Sequence, residues 1–307
     1  MTSRHHISSA TLGALSSAAL VCLAGSAESA AHVPDLSGTW AHPFLGLEQP
    51  ESGAGPIQNR ALLPTGQSDP SHAVGDYTNP ILKPEAAEVL RKRGEMSLSG
   101  MPFPTPSDQC ATIPMPLILS LFEIQILQEP DQVTLLYPNH HQVRRVRMNQ
   151  AHPDRVIPTW HGDSVGYYEG DTLVVDTVGV KVGPLSMVDF LGTPQSEAVH
   201  VVERYRLIDS ESAQVAFEQA RKDHIEFLPQ FDLMGGEAIA VDPGYKGKGL
   251  QLRFTVEDPN VFTAPWSAKS TFQRSLYPFR EWICAENRAE YYSGKDTAVP
   301  MNDTPDF

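Results

Sequence analysis

Apolar and polar positions alternate along most of the chain after residue 121. Phe122, Ile124 and Ile126 alternate with Glu123 and Gln125, the signature of a half-buried strand. The turn Glu129-Pro130-Asp131-Gln132 leads to a return strand from Val133 to Tyr137, and Asn139-His140-His141 bends the chain into Val143 to Met148. Ser164 to Tyr168 and Thr172 to Val178 form another hairpin around Glu169-Gly170-Asp171. Val199 to Ile208, Ala213 to Gln219 and Leu250 to Glu257 continue the series. Successive hairpins without strand–helix alternation predict a mainly β fold, a single antiparallel barrel or sandwich.

The segments around this series read differently. From Pro43 to Pro116 the chain is rich in Pro, Gly and Ser, with one helix expected from Pro84, acids early and bases late. Residues 32–120 are therefore expected to be an extension packing on the barrel, its first strand near 36–41. The barrel core is expected over 121–290, with an inserted Gly-containing loop at 221–249 and a tail at 291–307. Residues 1–31 have a short basic start, an apolar run from Ala10 to Ala24 and small residues up to Ala31. This is the pattern of a secretory signal cleaved near Ala31 and points to a periplasmic or secreted protein. The run is too short and too interrupted to span a bilayer, and no later segment suits stable membrane insertion.

Composition narrows the partners. A net charge of −14 leaves no basic stripe for a phosphate backbone, so nucleic acid is not an expected partner. A small molecule is. Oligomeric state is not written in the sequence. After removal of Cys22 with the signal, Cys110 and Cys284 remain. An even pair in an oxidising compartment predicts a disulfide, the alternative being two buried thiols.

A longer series is more specific than any of these patterns. It runs Asp35-Leu-Ser-Gly-Thr-Trp40, Arg145-Val-Arg-Met-Asn-Gln-Ala-His152-Pro153, Pro158-Thr-Trp160-His-Gly162-Asp-Ser164-Val-Gly166 and Tyr168-Glu-Gly-Asp-Thr-Leu-Val-Val-Asp176. It continues through Glu203-Arg204-Tyr205, Thr263-Ala-Pro-Trp266 and Cys284-Ala-Glu286-Asn287. The series resembles a group of exported bacterial proteins, largely uncharacterised, that look lipocalin-like. The resemblance implies a β-barrel and an exported compartment. It implies no mechanism.

Candidate chemistry lies on the central strands. Odd positions of 199–207 are Val199, Val201, Glu203, Tyr205 and Leu207, so strand alternation points Glu203 at the barrel interior. A carboxylate there must pair or protonate. It is either a general acid/base or half of an ion pair with Arg145 or Arg147. His152 and His200 are the candidate acid–base partners, Arg145 the group that orients an anionic or carbonyl oxygen, and Asp189 an acid at a barrel mouth. Trp160, Tyr168, Tyr205 and Trp266 are candidate pocket-lining aromatics, each with plain core packing as its alternative. The histidines lack the helical spacing of a His-Glu-x-x-His site, and no metal is expected. No nucleotide fingerprint occurs, and no cofactor is expected. Gly162-Asp-Ser164-Val-Gly166 matches a nucleophile elbow in letters, but its flanks are strands of a meander. These features predict an enzyme running cofactor-independent acid–base chemistry, of lyase, hydratase or isomerase type, on a small apolar or aromatic molecule in a barrel pocket. The alternative is a non-catalytic periplasmic or secreted carrier for a small hydrophobic ligand.

Overall fold

Alternating side chains roll the chain into a closed barrel. The computed structural model describes residues 33–42, 46–69, 71–101, 103–121, 123–223, 241–242 and 244–279. The strands are β1 (Gly38–Ala41), β2 (Glu123–Gln128), β3 (Gln132–Tyr137), β4 (Gln142–Met148), β5 (Asp163–Glu169), β6 (Thr172–Val178), β7 (His200–Ile208), β8 (Gly249–Glu257) and β9 (Trp266–Arg274). Each pairs with the next in chain order, and β9 returns to β1. The inner face carries Val133, Leu135 and Tyr137 of β3, Leu173 and Val175 of β6, and Leu250, Leu252, Phe254 and Val256 of β8, all buried. Removing this apolar surface from water is the main force holding the barrel closed.

The barrel is not wholly antiparallel, which corrects the expectation. Strands β4 and β5 run parallel, with Val146 opposite Ser164, Arg147 opposite Val165 and Met148 opposite Gly166. The reason is parity. Around a closed ring, direction reversals must be even in number, so nine strands require at least one parallel pair. A parallel pair cannot be joined by a tight turn; residues 149–162 instead carry the chain back along the outside of the wall.

Two further expectations change. Residues 213–219 are not a strand but part of helix α2 (Ser210–Asp223). Asp209 caps it, accepting from the Ser212 amide at 2.8 Å, and the last turn carries Arg221 and Lys222. Ala213 and Ala220 of α2 are buried, and Ala213 lies where a side chain on Gly249 would have to be. The strand that completes the barrel is β9 instead. Its inner face is Trp266, Ala268, Ser270 and Phe272, too mixed a row to stand out by hydropathy. It meets β1 at Trp40–Arg274 and Ala41–Gln273. The Arg274 guanidinium stacks over the Trp40 ring at 3.8 Å and passes through the space a side chain at Gly38 would fill.

The N-terminal extension closes one end of the barrel, here called the upper end, where β4, β5, β7 and β9 begin. Helix α1 (Pro84–Leu98) buries Ala86, Leu90, Gly94 and Ser97, residues three or four apart on one face. The segment before it is tied to the β8–β9 turn: the Lys83 amide donates to the Val261 carbonyl and the Thr263 amide to that of Ile81. A short 3₁₀ turn, Leu117–Ser120, is wholly buried at the same end. Among the described residues, no helix is long and apolar enough to cross a membrane. The expected signal segment, Cys284, the C-terminal tail and most of the 221–249 insertion lie outside the described residues.

Candidate functional site

The polar residues of the central strands sort into two groups on opposite faces of one wall. The first is inside. Arg144 of β4, 2% exposed, meets Glu203 of β7, 0% exposed, in a two-pronged ion pair: Nη1 donates to Oε2 at 2.8 Å and Nη2 to Oε1 at 2.6 Å. The guanidinium also donates to Thr177 Oγ1 at 2.7 Å and to Ser164 Oγ at 3.1 Å. Tyr205 donates to Glu203 Oε2 at 2.7 Å. Burial alone would lower the Arg144 pKa, but the adjacent Glu203 charge outweighs it and holds the guanidinium above its ordinary value. Burial and the same carboxylate push the Tyr205 phenol well up. Tyr137, beside the pair, rises to about 12, chiefly through burial. With both carboxylate oxygens taken by charged and hydroxyl donors, Glu203 is a fixed ionic partner with no open path to solvent.

The second group is outside, towards the upper rim. Strand parity places Asp163 of β5, Asp176 of β6 and His200 of β7 on the outer face, and His152 comes down over them from the 149–162 connection. His152 Nδ1 lies 2.6 Å from Asp163 Oδ1, and its Nε2 lies 3.0 Å from Asp176 Oδ1. His200 Nε2 lies 3.2 and 3.1 Å from the two oxygens of Asp176. Arg147 donates to Asp163 at 2.7 Å. One carboxylate thus bonds two imidazoles. For His152, partial burial is the largest influence and lowers its pKa. Hydrogen bonds to Asp163 and Asp176 outweigh it, so the ring ends above its ordinary value. With a carboxylate at each ring nitrogen, the imidazolium is the form that satisfies both contacts. His200 uses Nε2 toward Asp176, while its Nδ1 stands 3.6 Å from Glu257, beyond hydrogen-bond reach. About a third of the His200 side chain is exposed, as is Asp176. An oriented imidazole with one outward nitrogen can exchange protons with a bound molecule.

The remaining expected site residues are scattered. Arg145 is exposed on the outer face of β4 and takes no part in the Glu203 pair. Its place is taken by Arg144, which shares the inner row with Gln142, Val146 and Met148. Arg147 pairs with Asp163 outside. Asp189 is buried near α1, where its Oδ1 accepts from the amides of Leu191 and Thr193 at 3.0 and 3.1 Å and closes a turn. Burial raises its pKa. Trp160 lies in the outer connection under Lys181, 4.9 Å from the ring. Tyr168 faces inward near the lower end, where Gln128 donates to its hydroxyl at 2.7 Å. Tyr205 belongs to the buried pair. Trp266 packs edge-on against Phe254 and Phe262, each at 6.0 Å. The aromatics therefore line no common pocket. His140 and His141 form the β3–β4 turn, both with left-handed backbone, φ 57° and 50°.

Asp176 falls within the strand expected over Thr172 to Val178, and Asp163 immediately before the one expected over Ser164 to Tyr168. Their meeting with His152 depends on the parallel crossover, which no local pattern announces. Among the described residues, no three His, Cys, Asp or Glu side chains are arranged to hold a metal ion. Comparison of the chain with protein families, curated proteins and solved structures gives no match.

Proposed function

We propose that the chain is an exported enzyme of lyase, hydratase or isomerase type that moves protons with His152 and His200, joined through Asp176. The observation that carries this is the single carboxylate bonded to both imidazoles on a partly open outer wall. Asp176 sets the His200 tautomer by accepting from Nε2, leaving the Nδ1 lone pair to take a proton. His152, held in its charged form by Asp163 and Asp176, supplies positive charge and a returning proton a short distance away. The reaction class follows from the side chains: an acid and a base on one carboxylate suit abstraction of a C–H proton and its return, or gain and loss of water. The lipocalin-like character of the barrel and the export of the chain rest on the sequence and belong to this reading.

The site differs from the one expected inside the barrel. Glu203 and Arg144 occupy the axis there, and an apolar guest would have to share it with a buried ion pair. The carrier alternative meets the same obstacle.

The test is proton exchange in D₂O. The mature protein is incubated with a panel of small hydroxy acids, keto acids and enoyl compounds, and mass spectrometry follows deuterium uptake and gain or loss of water. The wild type is expected to convert at least one compound. Asp176→Asn and His200→Gln should slow it by roughly 10²–10⁴-fold, the range for removal of a general acid–base group. Turnover at wild-type rate in both variants would remove the assignment, and so would a wild type that exchanges nothing.

A further inference from the structure

A third set of polar residues lies on the same wall near the opposite, lower end. Along the outer face, register places Arg204 opposite Arg253 and Arg253 opposite Lys269, with Arg206 opposite Gln251. Like charges facing each other across strands destabilise a sheet. Most of them are compensated. Arg204 pairs with Glu169 at 2.6 Å, and Glu51 serves both Arg253 at 2.8 Å and Lys269 at 3.5 Å. Arg206 is different. Its guanidinium donates to a neutral acceptor, Gln251 Oε1 at 3.2 Å, and among the described residues it has no ion-pair partner. That same oxygen accepts from Arg253 Nε at 2.8 Å, so one buried amide holds two guanidiniums side by side. Glu51 is shared between Arg253 and Lys269, and Asp209, which also lines the cleft, is already bonded to the amide and hydroxyl of Ser212, at 2.8 and 2.7 Å.

These residues surround a cleft of about 370 Å³ between β7, β8 and the first turn of α2, lined by Arg206, Ile208, Asp209, Ser212, Gln251 and Arg253. We propose that this cleft binds a small molecule through a tetrahedral oxyanion, a phosphate or sulfate ester. Guanidinium forks match the oxygen spacing of such groups and form charge-assisted bonds to them. The Gln251 clamp orients both forks before the ligand arrives, which lowers the ordering cost of binding. The chain as a whole carries −14, so attraction here is local to the cleft and not a property of the surface at large. His200 and Arg206 are on the same strand, roughly 20 Å apart at the strand rise. The cleft is therefore distinct from the proton-transfer site.

The experiment titrates the mature protein with inorganic phosphate and, separately, inorganic sulfate. Calorimetry and the ¹⁵N shifts of arginine Nε report binding. Saturable binding is expected, with shifts at Arg206 and Arg253 and weakening as NaCl screens the charges. Arg206→Gln should weaken it about tenfold or more, as loss of a charged hydrogen-bond donor does. Arg206→Lys keeps the charge but loses the fork and should fall between. Arg221→Gln removes the same charge from the far end of α2 and should leave the affinity unchanged. Tighter binding of phosphate assigns a phosphate ester, and tighter binding of sulfate a sulfate ester. Absence of saturable binding by either anion overturns the proposal. So does an Arg206→Gln affinity equal to wild type, or an equal loss in Arg221→Gln.

Discussion

Replacing Glu203 by Gln is expected to lower the unfolding free energy by about 3–5 kcal/mol, the range for removing one partner of a buried ion pair. The amide would still fill the space, but Arg144 would keep its charge in a site 2% exposed, with no counter-ion. Tyr205, which donates to Glu203 Oε2, would also lose its charged acceptor. The double variant Arg144→Met with Glu203→Leu should recover most of the loss, because both desolvated charges leave together. Ser164 and Thr177 would keep the hydrogen bond they make to each other at 3.0 Å. Urea unfolding monitored by tryptophan fluorescence reads all three proteins. A single variant within about 1 kcal/mol of wild type would mean that the pair is not structural, since one lost neutral hydrogen bond alone accounts for that much. The outer His152–Asp176–His200 group should be unaffected in any variant that folds, because Glu203 and His200 face opposite sides of β7.

Acid should weaken the fold well before its carboxylates titrate. His42 and His161 are both lowered from 6.5 to about 4, chiefly by burial. His161 is lowered further by the nearby Arg144 charge. The unfolded chain binds protons at these two positions below about pH 6.5, and the folded chain refuses them until about pH 4. Stability therefore falls as pH drops through that window, by roughly 4–5 kcal/mol in total between pH 7.5 and pH 4.5 by linkage. His152 works in the other direction. Its raised pKa contributes stability that is complete below the unfolded value and disappears as pH rises through the folded value. Unfolding free energies measured from pH 4.5 to 8 check the sign. His161→Gln, which can still donate toward Gln142, should flatten the acid limb by about half, since each histidine supplies about half of it. An acid limb as steep in His161→Gln and His42→Asn as in wild type would contradict the assignment.

Much of the barrel could be read from alternation alone, and the failures have identifiable causes. Strands β2, β3, β6, β7 and β8 were legible because large apolar side chains dominate their inner rows, Glu203 excepted, whereas β4 and β5, with Gln142, Arg144, Ser164 and Gly166 facing inward, were placed by the turns that flank them. Strand β9 was not legible, because Ala268 and Ser270 dilute its inner row between Trp266 and Phe272. Helix α2 was missed because Val215 and Phe217 suggest a period of two; the true signals were the Asp209 cap and the spacing of Ala213 and Ala220. Glu203 was correctly placed facing inward, but its partner was assigned to the wrong arginines. In β4, Val143 and Val146 lie on opposite faces, so the apolar residues do not reveal which face Arg144 shares. Only the pairing of Val143 with Leu136 and of Arg144 with Leu135 settles it. His152 and His200 were singled out, but Asp176, which joins them, could not be assigned a face without the register of β6 against β7.

The parallel pair has a mechanical consequence for the whole barrel. It and the β1–β9 contact, three register pairs and two, divide the wall into two antiparallel ribbons, β1–β4 and β5–β9. Antiparallel ladders hold each ribbon together, most of them longer than the three register pairs at the parallel β4–β5 seam. Arg144 belongs to the first ribbon, and its partners Ser164, Thr177 and Glu203 belong to three successive strands of the second. On the outside, Arg147 of the first ribbon grips Asp163 of the second. The buried guanidinium is thus a rivet through the parallel seam, driven from one ribbon into three strands of the other.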